Sequence, residues 1–209
     1  MIIAVDGPTA SGKGTIARAL AEHFGLPVLD TGLLYRAVGY QTQLNHGDPD
    51  NAADALAACD FPDTLLGDPA LRYESTGSLA SRVSIHPAVR GALLQRQVDF
   101  ANQPDGAVLD GRDIGTVIAP HAEAKLFVTA SPEERARRRH VEMLARGVDV
   151  TYDAVLADVP ARDARDTGRA DAPLLRAADA LLLDNTRMDK DAALAAAIAF
   201  VEERLKHRG

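Results

Sequence analysis

A lone cysteine, Cys59, leaves no partner for an intramolecular disulfide, and Cys59 itself reads as a small core residue. No apolar run approaches the roughly 20 residues that span a bilayer. Nor does a basic stretch followed by a signal-type apolar run open the chain. Both absences lead to the expectation of a soluble, cytoplasmic protein with no membrane partner. Positive charge is short as well. Thirty acidic residues against 23 basic ones leave a net charge of −7, which argues against the basic footprint of a nucleic-acid binder. Lysine stands only at positions 13, 125, 190 and 206, and arginine fills the remaining basic places. Arginine is the better fork for phosphate oxygens, although an alanine-rich, lysine-poor composition accounts for part of that bias. The histidines at 23, 46, 86, 121, 140 and 207 show no ligand spacing, and none is assigned to a metal. Repeats and low-complexity tracts are also missing. The 209 residues suit one compact α/β domain with room for a small subdomain.

What is present begins at once. Residues 1 to 15 read Met-Ile-Ile-Ala-Val-Asp-Gly-Pro-Thr-Ala-Ser-Gly-Lys-Gly-Thr. Ile2 to Val5 suit a buried parallel strand. Gly7, Gly12 and Lys13 then fit the frame G-x-x-x-x-G-K, with Gly14 where Ser or Thr is usual and Thr15 one place later. Glycines let successive backbone N–H groups of Gly7, Pro8, Thr9, Ala10, Ser11, Gly12, Lys13, Gly14 and Thr15 (proline excepted) curl around one anion. The apolar spacing of Ile16, Ala17, Leu20, Ala21 and Phe24 starts an amphipathic helix, whose N-terminus adds positive potential. Lys13 supplies a mobile charge for the outer phosphates. The segment is read as a phosphate cradle for a nucleoside triphosphate.

Further strand candidates recur at 28–30, 107–110, 125–129 and 180–184, separated by segments of helical period. That alternation predicts an open parallel sheet of about five strands with helices on both faces, of the P-loop NTPase type. Ser131-Pro132-Glu133-Glu134 is a helix start, with Ser131 as N-cap, Pro132 at the first position and Glu134 for a capping box, and Gly147 terminates that helix. A last helix is expected from about Asp189 to Lys206. Residues 47 to 78, weakly periodic, and a helix around Pro87 to Phe100 look like an insertion. Residues 146 to 176, rich in Arg and Asp, look like a mobile, solvated segment.

In a parallel sheet, ligands bind at the carboxyl ends of the strands. Asp110 ends the third strand candidate and therefore lies near the cradle. It either caps the strand–helix turn or holds, through water, the Mg²⁺ that bridges the outer phosphates, with Thr15 a second candidate for the metal. Arg112 and Asp113 beside it suit a second ligand. Arg36, in the helix after the second strand, is either a solvated helix residue or, with Arg112, a phosphate clamp. Arg162, Arg165, Asp166 and Arg169 fall at i, i+3, i+4 and i+7 on a helix and so share a face. That face is either a self-paired stripe or one that closes over transferring phosphates, and Pro160 kinks the helix and favours movement. Among Arg135, Arg137, Arg138 and Arg139, three in a row cannot all face one ligand.

The segments GPTASGKGT, DTGLLYR, ASRVSIHPAVRGALLQRQ, DGRDIGT, ERARRRH and ARDARDTGR, in this order and spacing, resemble the bacterial-type cytidylate kinases, nucleoside monophosphate kinases of the P-loop type. The resemblance covers nearly the whole chain, and DGRDIGT and ARDARDTGR are its most specific parts. It implies transfer of the ATP γ-phosphoryl group to CMP or dCMP with Mg²⁺, and the enzyme is expected to be a monomer. It implies a core of residues 1–46, 101–145 and 177–209, a CMP-binding insertion over about 47–100, and a short helical lid over about 146–176. By position it assigns Lys13, Arg112 and Arg162 to catalysis. Arg36 and Arg112 fall to the CMP phosphate, and Ser81, Arg90, Asp113 and Arg169 to the cytosine. Arg162 and Asp166 fall to the sugar and phosphate region, and Thr31 and Tyr35 complete the CMP site. Thr31 stands where Ser is common, which keeps the hydroxyl. The insertion before Leu71 is shorter than usual, so its customary β-hairpin is expected to be trimmed or absent.

Two other readings are weighed. A regulatory GTPase needs Asn-Lys-x-Asp and Asp-x-x-Gly, yet no asparagine precedes a lysine and no aspartate precedes a glycine by three. A P-loop kinase of a hydroxylated metabolite, similar to shikimate or dephospho-coenzyme A kinases, would want a carboxylate base, for which Asp30 is the one nominee.

Overall fold

The computed structural model describes residues 1–206; His207 lies outside the described residues. Five strands form one sheet in the order β2-β3-β1-β4-β5. They are β1 (Ile2–Asp6), β2 (Val28–Asp30), β3 (Ala107–Gly111), β4 (Ala124–Thr129) and β5 (Leu181–Asp184). β1 pairs in parallel with both β3 and β4, and β4 with β5. Every residue of β1 and β3 is buried, which is why both read as continuous apolar runs instead of alternating ones.

The chain divides into two compact units, Met1–Leu29 with Phe100–Gly209, and Asp30–Asp99. In the first, α1 (Lys13–Phe24) and α8 (Lys190–Lys206) cover one face of the sheet. Ile16, Ala17, Leu20 and Ala21 of α1 and Ala197 and Val201 of α8 pack with Ile3, Val5, Val108, Leu126, Val128 and Leu183. Full burial of Ile16 or Leu20 stabilises by roughly 1.5–3 kcal/mol each. Side chains alternate along a strand, so Asp6 points to the opposite face. There it meets the π-type turn Ile114–Ile118 that follows β3. β1 is the switch point of the sheet, because the chain goes to the β2–β3 side after it and to the β4–β5 side after β3. Ligands gather outside the carboxyl ends of strands at such a point.

α6 (Pro132–Ala145) starts as its sequence signal requires: Pro132 opens it and Ser131 Oγ accepts from Glu134 N at 3.2 Å. The capping box is only half made. Ser131 N donates instead to Thr186 Oγ1, and the Glu134 carboxylate takes Arg137 and Arg138. Residues 146–176, expected as a mobile, solvated segment, are largely exposed but contain α7 (Tyr152–Thr167), which buries Val155 and Val159 against Ala136 and Met143 of α6. α7 runs on through Pro160, which removes one N–H without ending the helix.

The second unit is helical. It holds α2 (Thr31–Leu44), α3 (Ala52–Ala57), two 3₁₀ turns at Asp63–Gly67 and Pro69–Arg72, α4 (Glu74–Val83) and most of α5 (Pro87–Ala101). No strand occurs among its described residues beyond the end of β2 at Asp30, so the hairpin is absent there. Leu34, Val38, Leu71, Val83, Val89 and Leu93 are among its buried apolar residues.

Candidate active site

β1 delivers the chain into the loop Gly7–Thr15 at the sheet's switch point. Gly7 is fixed by space, since a Cβ there would stand 2.1 Å from the Val128 carbonyl oxygen of β4. Gly12, in the left-handed region, turns the chain into α1, which starts at Lys13 without a side-chain cap. A helix start left open in this way presents N–H groups to an anion. Ser11 Oγ is buried with no hydrogen-bond partner among the described residues, an orphaned donor inside the cradle that fits a phosphate oxygen.

Three buried polar side chains tie this loop to the rest of the first unit. Asp6, just before it, accepts from Ile114 N and Gly115 N, both at 2.8 Å. Burial pushes the Asp6 carboxyl up to about 7 against those two donors, with Asp113 and Asp110 acting in the same direction as burial. Arg135 of α6 donates to Thr9 O at 3.3 Å and Ala130 O at 2.9 Å, and holds Asp163 of α7 with both Nη groups at 2.9 and 2.6 Å. Asn185, after β5, donates to Ser11 O at 2.9 Å and accepts from Arg138 at 2.8 Å. None of Asp6, Arg135 and Asn185 entered the sequence-derived site. The signal for Arg135 lay in its place four residues after the N-cap, facing back to the loop. For Asp6 it lay in a charged residue ending an otherwise apolar strand.

Lys13 Nζ stands 3.6 Å from Asp110 Oδ1, so the cradle lysine and the β3-end carboxylate meet as expected. A Cβ on Gly14 would lie 2.9 Å from Asp110 Oδ2. Asp110 therefore occupies the room that a Ser or Thr at that place would need. A buried carboxylate at a phosphate cradle, with the Thr15 hydroxyl in the same first turn of α1, suits a hard divalent cation with oxygen ligands.

Downstream of β3, Arg112 Nε donates to Asp166 Oδ2 at 2.6 Å, and Arg169 Nη2 donates to Asp166 Oδ1. Burial opposes ionisation of Asp166, but the Arg112 and Arg169 guanidiniums outweigh it and hold the carboxyl at about 2. Arg162 is buried on α7, 3.9 Å from Asp158. Its burial lowers its pKa, and the charges of Arg112 and Arg139 nearby act the same way. A buried guanidinium with two further guanidiniums beside it gathers positive charge that suits an anion. The expected common face of α7 needs correction: Arg162 and Asp166 point inward, Arg165 is exposed beside Asp158, and Arg169 lies past the helix end. Asp113 is buried at the foot of the 114–118 turn, whose N–H groups at Val117 and Ile118 it receives on its carbonyl.

In the second unit, Arg90 Cζ lies 5.7 Å from the centre of the Tyr35 ring, and both residues are buried, as are Thr31 and Ser81. Arg36 Nη1 donates to Leu71 O and Tyr73 O, each at 3.0 Å. Asp30 is exposed at the end of β2.

A phosphate cradle at the switch point of a parallel sheet, with lysine, carboxylate and an arginine cluster around it, defines a P-loop phosphotransferase. The fold recurs in an uncharacterised protein of Eubacterium ventriosum ATCC 27560, with a TM-score of 0.56 at 16% identity over 97% of this chain and 98% of that one. A model of the family "Cytidylate kinase" matches residues 3–203. The chain is 57% identical to the cytidylate kinase of Xanthobacter autotrophicus over 204 residues, 98% of each protein. It is also 57% identical to that of Methylobacterium sp. (strain 4-46) over 210 residues, 100% of each. The chain belongs to the cytidylate kinase family and is an ATP-dependent phosphotransferase.

Proposed function

We propose that this kinase transfers the γ-phosphoryl group of ATP to CMP or dCMP, giving ADP and the corresponding diphosphate. The observation that carries the reading is the Arg112–Asp166–Arg169 bridge with Arg162 beside it, in the same unit as the Lys13 cradle. A phosphate acceptor is largely ionised at neutral pH, its second pKa being about 6, and needs no catalytic base. The work left to the protein is to hold two repelling anions in line and neutralise them. Residues 7–15 and Lys13 take the donor phosphates. Arg112 and Arg162 face the transferred group, and Arg36 with Arg112 holds the acceptor phosphate. Ser81, Arg90, Asp113 and Arg169 read the cytosine, with Thr31, Tyr35 and Asp166 completing the acceptor site. Asp110, through water, and Thr15 would hold the divalent ion, Mg²⁺, which would supply charge neutralisation at the outer phosphates. α7 with its flanking loops, residues 146–176, is the lid, and residues 47–100 the acceptor-binding insertion. The protein acts as a cytoplasmic monomer on nucleotides alone.

The competing metabolite-kinase reading rests on Asp30, and the family match disfavours it. A coupled assay offering ATP with CMP, dCMP, UMP, AMP, GMP and shikimate in turn decides between them. Turnover with CMP and dCMP well above the other acceptors is expected; preferential turnover of shikimate refutes the proposal.

A further inference from the structure

Gly77 is buried inside α4, and the space where its side chain would be is taken. A Cβ there would stand 2.9 Å from Arg36 Nη2 and 3.2 Å from both Cζ and Nη1. The Arg36 guanidinium therefore lies flat across the glycine. Leu71 O and Tyr73 O fix its Nη1 from the side. Those carbonyls and the glycine belong to one short piece of backbone. Thr76 Oγ1 donates to Ala70 O at 2.7 Å and pins the 3₁₀ turn to α4, while Gly77 N donates to Tyr73 O at 3.2 Å. A planar guanidinium with one nitrogen held in its plane and one face against backbone has a single orientation. Glycine weakens a helix interior relative to alanine, so α4 carries a local disadvantage at the one place where it gives Arg36 clearance.

We propose that Gly77 is a positioning residue for the acceptor, a flat seat that aims Arg36 and so sets affinity for the acceptor's phosphate. The inference rests on the reading of Arg36 as a ligand of that phosphate. Alanine at 77 lifts the guanidinium away from its seat, and charge-assisted hydrogen bonds are sensitive to such displacement. The atoms it meets are the far end of a flexible side chain, so α4 itself is not disturbed.

The test compares the wild type with Gly77→Ala, Arg36→Ala and the double variant. KM for CMP and for ATP, kcat and melting temperature are measured for each. Gly77→Ala is expected to raise the CMP KM roughly fivefold, a partial loss of a charge-assisted contact. The ATP KM should stay within about twofold, and the melting temperature should hold or rise, because alanine favours the helix. In the Arg36→Ala background the same substitution should leave the CMP KM unchanged. If Arg36→Ala raises the CMP KM while Gly77→Ala does not, the seat is refuted and the role of Arg36 stands. Should Arg36→Ala leave it unchanged, the assignment of Arg36 falls and the seat with it. A rise that persists without Arg36, accompanied by a lower melting temperature, overturns the proposal in favour of damage to α4.

Discussion

Replacing Asp166 with asparagine removes the one negative charge between Arg112 and Arg169 while keeping the side chain's shape. Its folded carboxyl sits at about 2, against an ordinary 3.8. That gap, at 1.36 kcal/mol per unit, stabilises the folded state by on the order of 2 kcal/mol. Because the folded value is the lower one, the contribution is complete above the ordinary 3.8 and is lost as the pH falls from there through about 2. At neutral pH the variant suffers more than this loss, since two largely buried guanidiniums lose their counter-ion; removing one partner of a buried pair costs about 3–5 kcal/mol. Urea unfolding of both proteins at stepped pH reads both effects. The wild type should be the more stable near neutrality, and the gap should narrow by roughly 2 kcal/mol as the wild-type carboxylate becomes protonated. Two curves that stay parallel throughout the acid range would falsify the ionic bridge.

Lys13→Ala should cut turnover by orders of magnitude with an unchanged melting temperature, since its charge serves developing phosphate charge and not the core; near-normal turnover with ATP would refute the cradle. Arg112→Ala should raise the CMP KM by roughly 10- to 100-fold, the loss of a charge-assisted contact, with a much smaller change for ATP; steady-state kinetics with each substrate varied in turn checks the split. Asp113→Asn should narrow the preference for CMP over UMP. A carboxylate accepts from the cytosine amine but repels uracil O4, whereas an amide can donate to O4. The ratio of catalytic efficiencies for the two nucleotides, measured for both proteins, reports it, and an unchanged ratio removes Asp113 from base selection.

The strands and the cradle were legible because their signals are local. β1 and β3 are apolar along their whole length, and the glycine spacing of residues 7–12 answers to backbone geometry alone. Ser131 and Pro132 announced α6 for the same reason. What the sequence hid depends on distant partners. Residues 146–176 looked solvated because charge hides the pair Val155 and Val159, whose burial needs Met143 on another helix. Arg135 looked like one arginine among four, and only the fold shows that it alone reaches Thr9 and Asp163 together. Asp6 drew no assignment, since its two N–H donors arrive from the turn after a different strand. The arginines at 112, 162 and 169 were nominated by pattern and by resemblance, but the pairing of Arg112 and Arg169 through Asp166 is a property of the folded chain.

The crowding at Gly14 bears on how such enzymes can be rebuilt. A phosphate loop is often treated as a portable cassette, yet here its sequence is not separable from the end of β3. A Cβ after the lysine would stand 2.9 Å from the Asp110 carboxylate, which would have to turn aside from its place 3.6 Å from Lys13 Nζ. A loop grafted from another kinase therefore changes the setting of the β3-end carboxylate as well as the loop.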